Sequence, residues 1–589
     1  MLNCFFKSIT PTTQSFIPFF SFPCYNNFMV LNNLKLFYFK HLSGRRIRYV
    51  FLFGFVFLIF LYVIMPAGFL CPDGFYHTKM ALMIKEQGLV KDFPWLYFTT
   101  YRNLFVDHHL GYHLLLIPFL SLPSPSGLDN FGVEIEPLLK AKIATVFFAS
   151  LVFVFIYWFC CRLKIRRPLF WALLPIVIYP FVARLSLTRA PAISIIIQVL
   201  VFYFILKEHF WGIFLLSFFY VLFYGAWPLM IIIIFLYCLA GAAQKLSADW
   251  NDLFQNQSLT KIKRITVELK TLIKHFFTKT NLKIILFGAG GLLAGLIINP
   301  YYPKTFDFYW LQTIKIALVN YHDKIGVGAE WYPPTVQTFY VSNLPVLILW
   351  AVSLGCFISL LKQQKKQTWF FALVSLFFLA YTAKAQRNIE YFVPTAIFFS
   401  GLILSQLKPI NWTKVKNKLK EIFLTSPESA SYFTLSVIFL IIVLFFVGFY
   451  VNFGLTNLRK NYKSNSLSLN YLQKASFWLK NNSQPNEIIF QSEWDIFPPL
   501  FYFNTKNYYI NGLDQTFMYE FDQDLYWKWF NLVNAKTPPD KTAEILKQKF
   551  QASYVLATTR NKNFKRLLER SPGLEKVYED EEAKIYKIK

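Results

Sequence analysis

The chain is long, apolar and poor in charge. It has 589 residues, of which 55% are hydrophobic and 20% aromatic, and only 16% are charged. Soluble globular proteins carry about 25% charged residues, so this composition excludes an ordinary soluble enzyme. Apolar runs recur along the chain, and about 20 such residues cross the bilayer core as a helix. The formal net charge of +28 does not indicate a nucleic-acid partner, because the basic residues cluster beside the apolar runs, as membrane topology requires.

Residues 1–48 precede or border the first long apolar run. They are rich in Phe, Asn and Pro, and Pro11, Pro18 and Pro23 interrupt any long helix. No small-residue cleavage site follows a single apolar core, so a cleaved signal peptide is not predicted. We interpret residues 1–48 as a leader without an assigned role, either irregular or interfacial, or as an over-extended start of the chain.

Basic residues beside the apolar runs predict the orientation of the chain in the membrane. Short loops rich in Lys and Arg stay in the cytoplasm, so the basic stretch 45–48 sends the first run outward. The run 143–161 ends in a basic turn, which places that turn inside and the loop 71–140 outside. The short run 114–122 is expected to lie along the outer surface. Continued in this way, the pattern predicts about eleven spans, namely 49–70, 143–161, 169–183, 192–206, 211–224, 230–243, 284–298, 344–361, 369–382, 391–407 and 433–450.

The composition changes after the last of these runs. From residue 454 onward, short apolar strands alternate with helical patterns, which is typical of a small layered sheet. No cysteine follows Cys356, so this region has no disulfides. The predicted fold is therefore mainly α, a polytopic helical bundle of the cell membrane over residues 49–453. An α/β domain over residues 454–589 follows on the extracytoplasmic side.

Candidate chemistry is concentrated in the outer loop 71–140. Pro72-Asp73-Gly74 is a turn sequence, and the apolar spacing after it predicts a helix that begins at Asp73. A carboxylate at a helix N-terminus is stabilised as the anion and is well placed to accept a proton or a hydrogen bond. The alternative is a solvated aspartate at the end of a span.

A second acidic cluster in the same loop is Asp107-His108-His109. His109 and His113 are four residues apart and would share one face of a helix. Carboxylate and imidazole together suit a divalent metal ion. The alternative is a polar helix face at the water boundary, which needs no metal.

Other charged residues are predicted at outer helix ends and in a later outer loop. Arg184, Arg189 and Arg387 either anchor to lipid phosphate or hold a substrate phosphate through the forked guanidinium. Glu330 lies among aromatic residues in the loop 299–343. No nucleotide-binding glycine loop is present, because the glycines of 288–291 fall inside a span, where small residues pack helices. Carboxylates, arginines and aromatics beside lipid suit group transfer from a phosphate-bearing lipid, outside the cell, where nucleotide-activated donors are absent.

Several short motifs, in the same order, resemble the GT-C superfamily of membrane glycosyltransferases. Within it the chain most resembles the catalytic subunit of oligosaccharyltransferase. The first outer-loop motif of that family, an Asp followed by an aromatic and His and then Glu-x-Gly, is similar to 73–77 with 86–88. The further stretches that match in order are Tyr224–Pro228, Gly328–Pro334, Arg387–Pro394 and Ser492–Phe497.

Two departures from the family pattern affect what the resemblance implies. Where the family has a second acidic motif at an outer rim, this chain reads Arg184-Leu-Ser-Leu-Thr-Arg189, so an expected metal ligand is missing. Asp107 with its histidines is the substitute, as paired acids of the first loop are in other GT-C enzymes. Glu-Trp-Asp, ending at Asp495, stands where the family has Trp-Trp-Asp, which weakens the expectation of an Asn-x-Ser/Thr acceptor.

The resemblance implies a membrane glycosyltransferase. It would move a sugar or oligosaccharide from a polyprenyl-phosphate-linked donor to an extracytoplasmic acceptor, which is a protein, a lipid or a cell-surface glycan. The implied catalytic residues are Asp73, Asp107 and Glu330. A divalent cation, Mg²⁺ or Mn²⁺, would be held by Asp73, Asp107 and His108. The implied substrate-binding residues are His77, His108, Arg184, Arg387, Trp494 and Asp495.

Two other functional classes stay open. A lipid-carrier transporter or flippase places ionisable residues within its spans, facing a central cavity, whereas the acids of this chain fall in outer loops. A non-enzymatic envelope assembly factor would depend on residues 465–589 as a docking module rather than on Asp73.

Overall fold

The computed structural model describes residues 44–65, 68–123, 134–255, 261–407 and 448–589. The chain divides into two units, 1–52 and 53–589. Within the first unit, residues 45–52 form the start of helix α1 (Arg45–Ile64). Most of the predicted leader and most of the predicted span 433–450 lie outside the described residues.

The second unit is mainly helical as far as residue 465, because its apolar runs are long and hold few helix breakers. After α1, the helices in chain order are α2 (Asp73–Gln87), α3 (Leu110–Leu120), α4 (Glu136–Arg162), α5 (Pro168–Leu173), α6 (Tyr179–Leu185), α7 (Pro191–Leu206), α8 (Phe210–Phe223), α9 (Leu229–Gln255), α10 (Lys261–Phe276), α11 (Lys279–Ile297), α12 (Lys304–Trp310), α13 (Leu344–Ser359), α14 (Lys366–Lys384), α15 (Ile389–Gln406) and α16 (448–465).

Helices suited to membrane crossing account for part of the predicted topology. Among the described residues, five are long and apolar enough to cross a bilayer, namely Arg46–Ile64, Glu136–Arg162, Leu229–Ala248, Lys279–Ile297 and Gln386–Gln406. A sixth is added if Pro168–Val177 and Tyr179–Leu185 form one span, although the two segments meet at 88°. The sequence predicts a continuous span there, and the break falls at Ile178, whose backbone is extended. The total of eleven crossings stays a prediction.

Helices α8 and α11 pack closely through glycines. A Cβ atom at Gly291 would lie directly against the backbone oxygen of Phe214 and 2.8 Å from the Cβ of Ser217. A Cβ atom at Gly295 would lie 2.7 Å from the backbone oxygen of Phe218. The interpretation of this glycine-rich stretch as helix packing is therefore confirmed.

The substitution Gly291→Ala is expected to destabilise the protein by about 1–3 kcal/mol, because the new methyl group has to displace backbone rather than a flexible side chain. The measurement is the midpoint of thermal unfolding in detergent. Gly290→Ala is the matched control, since its Cβ would meet Phe214 at an ordinary 3.7 Å. Equal shifts for the two variants would show that close helix packing is not the cause.

The C-terminal region forms the predicted α/β domain around a five-stranded sheet of order β2-β1-β3-β5-β4. Strand β1 is parallel to both β2 and β3, and β5 is antiparallel to both β3 and β4. The strands are β1 (Ile488–Gln491), β2 (Tyr508–Tyr509), β3 (Ala552–Thr558), β4 (Leu574–Glu579) and β5 (Ala583–Ile588). The helices are α17 (Gln473–Asn482), α18 (Phe497–Phe503), α19 (Thr516–Phe521), α20 (Gln523–Val533), α21 (Pro539–Gln548) and α22 (Lys562–Arg570).

The outer loop is bonded to this domain. Backbone hydrogen bonds join Tyr97 to Tyr509 (2.8 Å), Tyr509 to Trp95 (2.7 Å) and Phe98 to Ile510 (3.2 Å), so the loop extends the sheet beyond β2. The buried ring of Phe93 lies 5.2 Å from that of Phe501 in α18. Residues of the outer loop and of the C-terminal domain are therefore held against one another, and both contribute to the site described next.

Candidate functional site

A cavity of about 550 Å³ lies where the outer loop, the helix ends and the C-terminal domain meet. Its lining is partly apolar, with Ile231, Leu318 and Phe377 among the contributing residues. Its polar lining includes Asp73, His77, His108, His109, Arg189, Tyr224, Glu330, Arg387, Glu390 and Asp514. A mostly apolar cavity with a few convergent charged groups is the usual form of a ligand site.

Asp73 lies at the start of α2, as the sequence predicts. Pro72 immediately precedes the helix, and Asp73 is the acidic residue of its first turn. One carboxylate oxygen, Oδ2, accepts a hydrogen bond from Nη2 of Arg189. Asp73 is thus an ionic partner within the cavity rather than a solvated turn residue.

Glu330 is the centre of an ion-pair network that holds three arginines. Its Oε2 accepts hydrogen bonds from Nη1 of Arg184 and from Nη1 of Arg189, the latter at 2.7 Å. Its Oε1 accepts from Nη1 of Arg387 at 3.0 Å. Burial by itself raises the pKa of Glu330, but the three guanidiniums outweigh burial and hold that pKa well below its usual range. Glu330 is therefore ionised at neutral pH.

The network continues to a second buried carboxylate. Nε of Arg184 donates to Oε2 of Glu390 at 2.9 Å, and Glu390 is fully buried. Arg189 links the other end of the network to Asp73. Three guanidiniums thus face three carboxylates, so the formal charge of the cluster is zero.

Arg387 is fixed on three sides. Besides Glu330, it donates from Nη2 to the hydroxyl oxygen of Tyr224 at 2.6 Å. Its guanidinium carbon lies 4.3 Å from the ring centre of Trp331, a cation–π contact. Three of the motifs singled out in the sequence, those containing Tyr224, Glu330 and Arg387, therefore meet at one point.

A second polar group forms a chain of three side chains behind the lining. Oδ2 of Asp107 lies 2.7 Å from Nδ1 of His113, and Nε2 of His113 lies 2.8 Å from Nδ1 of His77. Asp107 and His113 are buried, and His77 is the member that lines the cavity. An ionised carboxylate only accepts hydrogen bonds, so Asp107 favours the Nδ1–H form of His113, and through it the Nδ1–H form of His77.

The histidines beside the cavity are held neutral. Burial, helped by His113 and Arg189, lowers the pKa of His77 well below its usual range. Burial also lowers the pKa of His108 to about 4. At neutral pH both rings therefore offer a lone pair rather than a positive charge.

The predicted metal set is not assembled. Oδ2 of Asp107 is bound to His113, and its Oδ1 accepts from the backbone N–H of His109 at 3.1 Å. Asp107 is 3% exposed and is not among the lining residues. In the described part of the chain, no group of three His, Cys, Asp or Glu side chains is arranged to hold a metal ion. Of the predicted ligand atoms, both oxygens of Asp107 and Oδ2 of Asp73 are already bound to protein donors, so the set does not fit a divalent cation.

Two predicted substrate-binding residues lie away from the cavity. Asp495 accepts two hydrogen bonds from Arg560, at 2.9 and 3.1 Å. Trp494 packs against the core of the C-terminal domain. Neither is among the lining residues, so their predicted part in substrate binding stays a prediction. Arg184 also lies outside the cavity lining, and its guanidinium pairs with the lining residue Glu330.

Asp514 is a cavity residue that sequence reasoning missed. It is supplied by the C-terminal domain, and its Oδ1 accepts from the backbone N–H of Thr516 at 2.8 Å. Burial raises its pKa. A lone acid between β2 and α19 carries no sequence signal, because only the docking of the outer loop on the C-terminal domain brings it into the cavity.

The helical bundle, the acid-bearing loop 71–140 and the C-terminal sheet form a fold that this chain shares with solved oligosaccharyltransferase structures. Among solved structures, the chain is similar to the archaeal oligosaccharyltransferase AglB from Archaeoglobus fulgidus in complex with an inhibitory peptide and a dolichol-phosphate. The TM-score is 0.54 at 13% identity, over 90% of this chain and 72% of that one. A complex of the A. fulgidus oligosaccharyltransferase with Zn and sulfate matches with a TM-score of 0.51 at 12% identity, over 89% of this chain and 70% of that one.

A second kind of enzyme shares the fold. ArnT from Cupriavidus metallidurans, bound to undecaprenyl phosphate, matches with a TM-score of 0.52 at 12% identity. The match covers 92% of this chain and 98% of ArnT. No protein-family model and no curated protein sequence matches the chain. At these identities the likeness is one of fold, and the function has to be argued from the site.

Proposed function

We propose that this protein is a membrane glycosyltransferase that moves a sugar or oligosaccharide from a polyprenyl-phosphate-linked donor to an extracytoplasmic acceptor. The observation that carries the proposal is the convergence of guanidiniums and carboxylates in one cavity whose lining is otherwise largely apolar. A polyprenyl-phosphate sugar has an anionic phosphate between an apolar tail and a polar sugar, and this cavity offers a partner for each part.

The donor phosphate is assigned to Arg387, with Arg184 behind it. Guanidinium forks bind phosphate oxygens in pairs, and Arg387 is already oriented by Tyr224 and Trp331. Apolar lining residues such as Ile231 and Leu318 would contact the first isoprene units. The structural neighbours bound to a dolichol-phosphate and to undecaprenyl phosphate support this class of ligand.

Glu330 would regulate access to the arginines. Its carboxylate accepts from all three guanidiniums, so an arriving phosphate competes with it for the same donors. Glu330 lies in the segment between α12 and α13. When this segment moves aside, the donor phosphate replaces the Glu330 carboxylate as the anion bound to the arginines. The cavity then closes again around the donor.

The transfer itself exchanges two bonds at the anomeric carbon of the sugar. The acceptor atom bonds to this carbon, the bond from the carbon to the phosphate oxygen breaks, and the polyprenyl phosphate or pyrophosphate leaves. Asp73 would hold the acceptor. The acceptor proton would pass to Nε2 of His77, since Nδ1 of that ring is bound to His113, and Asp107 would stabilise the resulting charge through His113.

The arrangement in the membrane is also part of the proposal. We place eleven spans within residues 49–453, with the loop 71–140 and the domain 454–589 on the extracytoplasmic side and residues 1–48 as a leader. Support comes from the distribution of basic loops and from the bonding of the outer loop to the C-terminal domain.

The proposal is tested first by ligand binding. Undecaprenyl phosphate or dolichyl phosphate is expected to raise the midpoint of thermal unfolding in nanodiscs, because a ligand at 100 times its Kd stabilises the folded state by about 2.7 kcal/mol. Undecaprenol, which has the same tail without the phosphate, is the matched control. An equal rise with the alcohol would contradict an arginine-bound phosphate.

The second step is turnover with a panel of undecaprenyl-phosphate- and dolichyl-phosphate-linked sugars. Release of carrier phosphate, with the sugar moved to an acceptor or to water, is expected for at least one donor. Binding without release of sugar from any donor would contradict a transferase and favour the lipid-carrier transporter.

A further inference from the structure

Arg189 occupies an unusual position between two acids of the site. Nη2 of its guanidinium donates to Asp73, and Nη1 donates to Glu330 at 2.7 Å. Its side chain is 20% exposed. It lies in the stretch 184–189, where the family resemblance leads one to expect an acidic metal ligand and this chain has none. One guanidinium therefore bridges two acids of the site, and one of them, Asp73, belongs to the predicted metal set.

The charges around Arg189 leave little reason for a divalent ion to bind. With Arg184 and Arg387 also bound to Glu330, the three guanidiniums and three carboxylates of the cluster already balance. A divalent ion added between Asp73 and Glu330 would bring two further positive charges beside Arg189. Like charges placed side by side repel strongly where water is largely excluded.

The available ligand atoms lead to the same conclusion. Divalent ions take four or more ligands in proteins. In the described residues, both oxygens of Glu330 and Oδ2 of Asp73 already accept from arginine. Asp107 is bound to His113 and to the backbone of His109. Among the acids of the cluster, Oδ1 of Asp73 and the buried Oε1 of Glu390 have no protein donor in the described residues, which leaves two oxygens where a divalent ion takes four or more ligands.

We propose that Arg189 is the built-in cation of this site, holding Asp73 and Glu330 in their relative position without a divalent ion. Arg189 is then a positioning residue, which fixes Oδ2 of Asp73 and leaves Oδ1 for the acceptor. Sugar transfer proceeds without an added metal ion. This last statement rests on the proposed function, whereas the cation assignment is testable without any substrate.

The substrate-free test measures binding of added Mn²⁺ to the purified full-length protein by the electron paramagnetic resonance signal of the free ion. The wild type is expected to bind no Mn²⁺ in the cavity. Arg189→Ala removes one positive charge, frees Asp73 and leaves Glu330 bound to Arg184 and Arg387 alone. This variant is therefore expected to gain one Mn²⁺ site, which Arg189→Ala combined with Glu330→Gln loses again. Arg189→Lys keeps the charge and is expected to gain no site.

A Mn²⁺ site in the wild type that disappears in Asp73→Asn would overturn the assignment, as would the absence of any gain in a folded Arg189→Ala variant. Thermal unfolding midpoints identify variants that fail to fold, and the wild-type measurement decides the question even in that case.

Turnover supplies the second test. Wild-type activity on the donor panel is expected to be unchanged by EDTA, whereas Arg189→Ala is expected to lose about 100-fold in kcat, because the position of Asp73 is no longer fixed. Partial recovery of that variant with Mn²⁺, and not of Arg189→Lys, would support the same assignment. Loss of wild-type activity in EDTA with recovery on adding Mn²⁺ would overturn it. A wild type that turns over no donor would instead contradict the proposed function, and the Mn²⁺ measurement would still decide the role of Arg189.

Discussion

Asp73→Asn is expected to lower kcat for sugar transfer by about 100-fold or more. An amide at this position carries no charge to pair with Arg189, so the side chain is no longer held in one place, and a misplacement of about 1 Å at a reacting centre costs about 100-fold. The acceptor also loses a charged hydrogen-bond partner, which binds more strongly than a neutral one. The measurement is steady-state turnover of a polyprenyl-phosphate-linked sugar in nanodiscs.

Two observations separate this effect from a general loss of structure. The KM for the donor is expected to stay within about threefold, because the phosphate-binding arginines are untouched. Asp92→Asn is the matched control, since Asp92 is 82% exposed and pairs with Lys304 at 3.4 Å, away from the cavity lining. Retention of more than half of wild-type kcat in Asp73→Asn would remove Asp73 from the reaction.

Arg387→Ala is expected to weaken binding of the donor instead, raising the KM for the donor by about 10- to 100-fold. Hydrogen bonds to charged groups contribute about 1.5–3 kcal/mol, which corresponds to this range. The substitution also frees Glu330 and Tyr224 from one partner. Binding of undecaprenyl phosphate, read as a thermal shift, is expected to weaken in parallel.

The substitution Arg387→Lys separates the contribution of the positive charge to donor binding from that of the planar guanidinium. Lysine keeps the positive charge but lacks the planar fork and stacks less well on Trp331, so we expect an intermediate KM. Arg459→Ala is the matched control, because Arg459 stacks on Tyr62 at 3.8 Å, outside the cavity. An unchanged donor KM in Arg387→Ala would show that the phosphate binds elsewhere.

The two effects follow from different positions in one network. Asp73 is joined to Glu330 through Arg189, while Arg387 contacts Glu330 directly. Neighbouring sites of this kind are coupled, so the double variant is expected to lose less than the product of the single losses. In the proposed function, moving Glu330 is the event that opens the arginines to a phosphate.

The sequence predicted those cavity residues whose signal comes from neighbouring residues in the chain. The helix start at Asp73 follows from a turn sequence and the apolar pattern after it, and the structure begins α2 there. The order of motifs that contain His77, Tyr224, Glu330 and Arg387 led to the correct fold and to four residues of one cavity. The packing role of the glycines near residue 291 also follows from their place in an apolar run.

Other features were hidden because they depend on contacts between distant parts of the chain. The pairing of Arg189 with Asp73 spans 116 residues, and that of Arg184 with Glu390 spans 206. The residues beside Asp107 in the chain indicated that its carboxylate would line the site. In the structure its hydrogen bond to His113 holds it away from the cavity. The entry of Asp514 into the cavity depends likewise on the docking of two separate segments.

The amino-acid sequence by itself determined the helical segments, the alternation of strands and helices near the C-terminus, and the motifs of a GT-C fold. Helix periodicity, turn residues and charge beside apolar runs are properties of neighbouring residues, so they can be deduced without coordinates. Only the tertiary structure decided which acid meets which arginine and which aspartate is buried behind a histidine. It also decided that a guanidinium, rather than the predicted metal set, holds Asp73. Such pairings depend on the relative placement of helices far apart in the chain, because the energy of a charge is set by its neighbours in space.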